Sequence, residues 1–283
     1  MKRREFLLGS ATAIGAGSLW GQRPDQAKLS RIAVMSLCFN SLVKPATGPP
    51  DPERTLDIMD IADMVAERFG IHHVEYQHSD FRSTEPDYLR ELRSRMKKAK
   101  SQMTQINLQF GELNISAANL VRRLETIDLT KRWIDHATAL GCPRVQVNQG
   151  SLAPEVRQSA IETLKTINAY GKAKRVFVTM EPRSGPWEVV VEVIKASGIW
   201  ANPDCGNFPD NQSRAAGLAL MYKMTAGSSH VKHVPDKFST PEAVKISKEA
   251  GYKGLFAIEA SPANGPDPYV AVQTILDVLL ASL

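Results

Sequence analysis

Cysteine is scarce in this chain, with only Cys38, Cys142 and Cys205 among 283 residues. A disulfide-stapled fold would carry an even, closely spaced set, so no disulfide framework organises it and buried thiols are expected. An excess of one charge is also lacking. The net charge of +5 is spread over interspersed acids and bases. There is no basic stripe for nucleic acid and no polybasic patch for a membrane surface. Beyond the first twenty residues no apolar run is long enough to span a bilayer. No Gly-x-Gly-x-x-Gly follows the first apolar segment, which argues against an open dinucleotide-binding sheet. Low-complexity tracts are missing too.

The start of the chain reads as a targeting segment. Lys2-Arg3-Arg4-Glu5-Phe6-Leu7-Leu8 resembles the twin-arginine export signal, and a Gly/Ala-rich stretch runs on to Trp20. Lys2 meets that signal's polar position, whereas Leu8 stands where lysine is frequent. On this reading residues 1–28 are a signal peptide and short linker, and the mature protein is periplasmic or extracellular. No stable membrane span is expected after cleavage.

From about residue 30 the pattern alternates strand and helix without a linker. Strands are expected at 31–38, 72–77, 103–110, 144–148, 174–181, 199–204, 228–234 and 255–259. Between them fall amphipathic patterns. One covers 54–69, with Leu56, Ile58, Ile61, Ala62, Val65 and Phe69 as its apolar stripe; another covers 115–140, with Leu120, Leu124, Ile127 and Ile134 inward. A Pro/Gly-rich loop at 40–52 is long enough to cover a site. Eight such units in about 255 residues match the ~250 of a closed eight-fold barrel. The expected fold is therefore α/β, a single (β/α)8 TIM barrel over residues 29–283. Its polar strand ends would meet on one face.

Four strand ends carry the chemistry. VFVTME closes on Glu181, GIWANPD on Asp204 and GLFAIE on Glu259, while SSHVKH carries His230. A charged group at the end of a buried parallel strand is costly unless it has a partner or a task. Alternation puts Phe177, Thr179 and Glu181 on one face, and likewise Leu255, Ala257 and Glu259. Three carboxylates and an imidazole converging there would hold one hard divalent cation, Mn²⁺, Mg²⁺ or Co²⁺, with Zn²⁺ also accommodated. Each residue alone has a plainer reading: an ion-paired Glu, an Asp capping a turn, a hydrogen-bonded core His. Their succession on consecutive strands favours the metal site.

These residues resemble the xylose isomerase-like barrel superfamily, which includes sugar isomerases, ketose 3-epimerases, inosose dehydratases and an apurinic endonuclease branch. Glu181, Asp204-Cys205-Gly206, His230-Val231-Lys232 and Glu259 match that family's positions on strands five to eight. Asn207 stands where the family usually has His, and His233 where it often has Asp. The resemblance implies a metal-dependent isomerase or epimerase that abstracts a proton next to a carbonyl and passes through an enediolate. Glu181 and Glu259 would be the acid/base pair as well as ligands. Lys232 would hold a substrate oxygen or balance the carboxylates. Glu75, His78, Asn148, Gln149 and Asn207 would meet sugar hydroxyls. The implied partner is a small free or oxidised sugar, or a keto-sugar, without nucleic acid, and a homo-oligomer is compatible with the sequence. Alternatives from the same site are a dehydratase or lyase on keto-sugars or 3-keto-glycosides. A further alternative is a non-catalytic sugar-binding barrel. The endonuclease branch is disfavoured by missing ligands and modest charge.

Overall fold

The computed structural model describes residues 25–183, 185–234, 237, 239–260 and 267–283. The twin-arginine motif lies outside them. Eight parallel strands form one sheet: β1 (Ile32–Met35), β2 (His73–Gln77), β3 (Gln102–Asn107), β4 (Arg144–Gln146), β5 (Phe177–Met180), β6 (Trp200–Ala201), β7 (Ser228–Val231) and β8 (Leu255–Ile258). The order is β6-β5-β4-β3-β2-β1-β8-β7. The outer strands of that order meet through isolated parallel bridges, Ala201 with Thr225 and Asp204 with His230. His230 N donates to Pro203 O at 2.8 Å, and Cys205 N to His230 O at 3.2 Å. A residue of the candidate site thus sits on each side of that seam.

After a short helix α1 (Gln26–Leu29), eight longer helices alternate with the strands: α2 (Ile61–Phe69), α3 (Pro86–Lys98), α4 (Leu120–Leu140), α5 (Pro154–Lys174), α6 (Trp187–Ser197), α7 (Asn211–Met221), α8 (Thr240–Glu249) and α9 (Pro268–Ser282). Among the described residues none is long and apolar enough to cross a membrane. Apolar strand residues such as Val34, Val74, Ile106, Val145, Val178 and Ile258 are fully buried, as strands covered on both faces require.

The expected helix at 115–140 is corrected at its start. Asn119 caps α4, its Oδ1 accepting from Val121 N at 2.8 Å and Arg122 N at 3.3 Å. Leu120 and Leu124 keep the helical spacing but are 60% and 51% exposed, whereas Ile127, Trp133, Ile134 and Ala137 are buried. A 21-residue helix spans about 31 Å, and the six residues of β3 about 20 Å. The first turns of α4 therefore leave these leucines exposed, while Arg122 and Arg123 reach back to Glu112 and Ala117 in the preceding loop. Gly141 ends the helix at φ 73°, a left-handed conformation that costs other residues.

The expected helix at 54–69 is likewise shorter. Leu56 pairs in a bridge with Val43, so the 40–52 loop folds back on it. Helix begins only at the turn Ile58–Asp60, where Asp57 Oδ1 accepts from Met59 N at 3.1 Å.

Candidate metal centre

β5, β7 and β8, with the turn after β6, deliver the four expected ligands to one place. One ligand atom each from Glu181, Asp204, His230 and Glu259 lies within 4.8 Å of the others. Glu181, Asp204 and His230 are buried, and Glu259 is 15% exposed.

His230 stands at the middle. Nδ1 is 2.9 Å from Glu181 Oε2 and 3.4 Å from Glu259 Oε2, and Nε2 is 2.9 Å from Glu75 Oε2. Burial opposes a charged imidazole, but Glu75 and Glu181 outweigh it and raise the His230 pKa well above its ordinary value. Burial likewise opposes the Glu181 carboxylate, yet His230, Arg183 and Lys232 hold its pKa well below the usual range. Glu259 goes the other way. Burial, then the charge of Asp204, push it up against the pull of Lys232 and His230. Its Oε2 is buried and makes no hydrogen bond, although Lys232 Nζ is only 3.2 Å away.

Asp204 is held on several sides. Oδ1 accepts from Gly206 N at 2.7 Å, and Oδ2 accepts from Asn207 Nδ2 at 2.9 Å and from Lys232 Nζ. Gly206 allows this approach, since a Cβ there would sit 2.5 Å from Lys232 Cδ. Lys232 bridges Asp204 and Glu259, and these two raise its pKa against the cost of burial. Two buried thiols fix the backbone nearby. Cys205 Sγ accepts from Lys232 N at 3.2 Å and donates to Lys232 O at 3.3 Å; Cys38 Sγ accepts from Ala260 N at 3.2 Å and donates to Ile258 O at 3.3 Å.

The residues expected to meet a sugar divide into groups. Asn207 and Lys232 join the cluster. Glu75 differs from expectation: it is fully buried beneath His230, with Oε1 accepting from Ser228 Oγ at 2.6 Å. Its carboxylate orients the imidazole and is not offered to the open side. His78 sits half-buried edge-on to Phe110 and Trp133, its Nδ1 accepting from Gln109 N at 3.3 Å. Asn148 Oδ1 accepts from Gly150 N at 3.3 Å, and Gln149 Oε1 from Arg183 N at 2.7 Å. His78 and Asn148 make no contact with the four ligands among these bonds.

Sequence reading missed Arg183 and Gln105. Arg183 Nε donates to Glu181 Oε1 at 2.5 Å, and its other nitrogens reach the Gln109 side-chain oxygen at 2.7 and 3.1 Å. Gln105 Nε2 lies 3.2 Å from Glu75 Oε2, 3.0 Å from Gln146 Oε1 and 3.4 Å from His230 Nε2. Gln105 did not stand out, because β3 also carries Gln102, Thr104 and Asn107. Arg183, in a loop after Pro182, carried no signal either.

A family profile described as xylose isomerase-like TIM barrel matches residues 64–276. The chain belongs to that family. No curated protein sequence matches it. Similar solved structures include 3-keto-D-glucoside 4-epimerase from E. coli, at 14% identity and TM-score 0.68, covering 89% of this chain and 99% of that one. An IolI protein with a bound zinc atom superposes at TM-score 0.70 with 14% identity, covering 89% and 99%. A xylose isomerase-like TIM barrel protein from Mycobacterium smegmatis, in complex with magnesium, gives TM-score 0.63 at 18% identity, covering 91% and 99%. At these identities the likeness establishes the fold.

Proposed function

We propose that this protein is a divalent-metal-dependent isomerase or epimerase of a sugar or keto-sugar, working by proton abstraction next to a carbonyl. The observation that carries the reading is the meeting of Glu181, Asp204, His230 and Glu259 ligand atoms within 4.8 Å. The donor set fits such an ion: three carboxylates and one imidazole suit Mn²⁺, Mg²⁺ or Co²⁺, and Zn²⁺ is accommodated. The buried, unbonded Oε2 of Glu259 is what a missing cation would leave behind. Once bound, the ion would polarise a substrate carbonyl and acidify the adjoining C–H.

The protein's own groups do the rest. Glu75 anchors Nε2 of His230 and so turns Nδ1 toward the other ligands, an outer contact that fixes ring orientation. Glu181 is tied through both oxygens, to Arg183 and to His230, whereas Glu259 is partly exposed and its Oε2 makes no hydrogen bond, only ion pairs with Lys232 at 3.2 Å and His230 at 3.4 Å. Glu259 is therefore the better placed to take the proton and, once protonated, to return it, while Glu181 stays ionised and holds the imidazole and Arg183. Lys232 offers a cation to oxygen that gains charge as the C–H breaks. Asn207 lies beside it for a hydroxyl.

The test is elemental analysis combined with keto-sugar turnover in D₂O. Expected are about one divalent metal per chain and an epimer or isomer carrying deuterium next to the carbonyl, both lost in Glu181→Gln. Loss of water or of an aglycone would move the assignment to a dehydratase or lyase. Tight sugar binding without deuterium uptake would make it a binding barrel. A protein without stoichiometric metal would overturn the reading. We also propose export by the twin-arginine route; a fusion retained in the cytoplasm only when Arg3 and Arg4 become lysine would support it, and retention of the wild type would refute it.

A further inference from the structure

A cavity of about 600 Å³ opens between the loops that follow β4 and β5. Its walls are Leu152, Ala153 and Pro154 at the start of α5, and Pro186, Val189 and Val190 at the start of α6. Arg157 also lines it, but its Nε donates to Leu152 O at 3.3 Å and NH1 lies 3.5 Å from Glu192 Oε2. The charged end of that side chain is engaged, so the groove presents mainly carbon.

The groove adjoins the metal centre through bonded neighbours. Gln149, immediately before the groove residue Gly150, accepts from the backbone N–H of Arg183 at 2.7 Å. Arg183 in turn holds Glu181 at 2.5 Å, and Gly185, two residues further, is again on the groove wall. An acidic, ligand-rich pocket and an apolar hollow are thus linked by the hydrogen bonds of Arg183 to Gln149 and Glu181. A free monosaccharide has hydroxyls all round and gains little from such a hollow. A molecule with one polar and one apolar end matches both halves. The volume lies in the range of small-molecule sites.

We infer that this groove is an aglycone subsite: the substrate is a keto-glycoside whose oxidised sugar ring, which carries the carbonyl, faces the ligands and whose aromatic aglycone lies between α5 and α6. The sugar end rests on the function proposed above, while the groove's preference can be measured without turnover.

The experiment is calorimetric titration of the whole protein with 4-nitrophenyl β-D-glucoside and with methyl β-D-glucoside. The aryl glycoside is expected to bind at least about tenfold more tightly, as burial of one ring allows. Val189→Trp on one wall and Ala153→Trp on the other should each remove that preference while leaving metal content unchanged. Equal binding of the two glycosides, an aryl preference that survives both substitutions, or no aryl binding at all would overturn the proposal. So would a dimer in sedimentation that Val189→Trp dissociates. A protein that lacks metal yet shows the groove-dependent preference would sink the metal-centre reading alone. Metal-dependent turnover without any aryl preference would sink the subsite alone.

Discussion

Strands β2–β4 and strands β5–β8 send polar side chains toward the same interior, but of different kinds. The second set brings Glu181, His230, Lys232 and Glu259, with Asp204 from the turn after β6. The first brings one carboxylate, Glu75, held by the amide of Gln105, whose Nε2 also donates to Asn107 and Gln146. The charged set gathers where a cation would sit. The amide set lies behind it and acts on the imidazole and on Glu75. The difference teaches that, on the proposed metal site, one half of this barrel would supply the ligands and the other half would aim them. Neutral amides suit the aiming role, since they donate and accept without adding charge to an already acidic interior.

The sharpest way to break that comparison is to remove a ligand. His230→Ala should weaken divalent-metal affinity by more than about 100-fold, beyond the range typical of outer contacts, as read by calorimetry. Glu75→Gln keeps the shape and loses the charge, and its expected cost is about 10–100-fold in the same titration. If Glu75→Gln equals His230→Ala, the division between ligand and aiming halves fails.

Proton competition sharpens it further. His230 without metal has a raised pKa, so it carries a proton at neutral pH that a metal must displace. Metal affinity should therefore fall as pH drops, by about tenfold per unit once the imidazole is protonated, with about one proton released per metal bound. Calorimetry in buffers of different ionisation enthalpy measures this, and Glu75→Gln should move the onset to lower pH because it removes a charge that favours the imidazolium. The smallest effect belongs to the exposed start of α4. Leu124→Lys should change unfolding free energy by no more than about 0.5 kcal/mol in urea, because the side chain buries little.

Much of the architecture was legible because buried parallel strands and amphipathic helices write different periods. All eight strands and a helix after each are found in the expected order, although the helices expected at 54–69 and 115–140 begin later, at Ile61 and Leu120. What periodicity misses is depth along the axis. Leu120 and Leu124 keep a perfect helical spacing, yet both are exposed at the start of the helix. Glu75 has the same limitation. Alternation gives its face but not whether it lies at the mouth or below His230. The convergence of Glu181, Asp204, His230 and Glu259 was readable because strand ends are marked by charge in an otherwise apolar run. Arg183 was hidden because a loop arginine is ordinary, and only folding brings it back onto Glu181.

The two sulfurs beside the site have a use of their own. Cys38 and Cys205 each latch a stretch of backbone next to Glu259 or Lys232, and burial pushes both thiols up to about 12. At neutral pH such groups are inert to alkylating reagents until the latch opens. The wild-type chain consequently carries its own clock: the rate at which those thiols become alkylated times the breathing of the segments that carry Glu259 and Lys232, with no residue substituted.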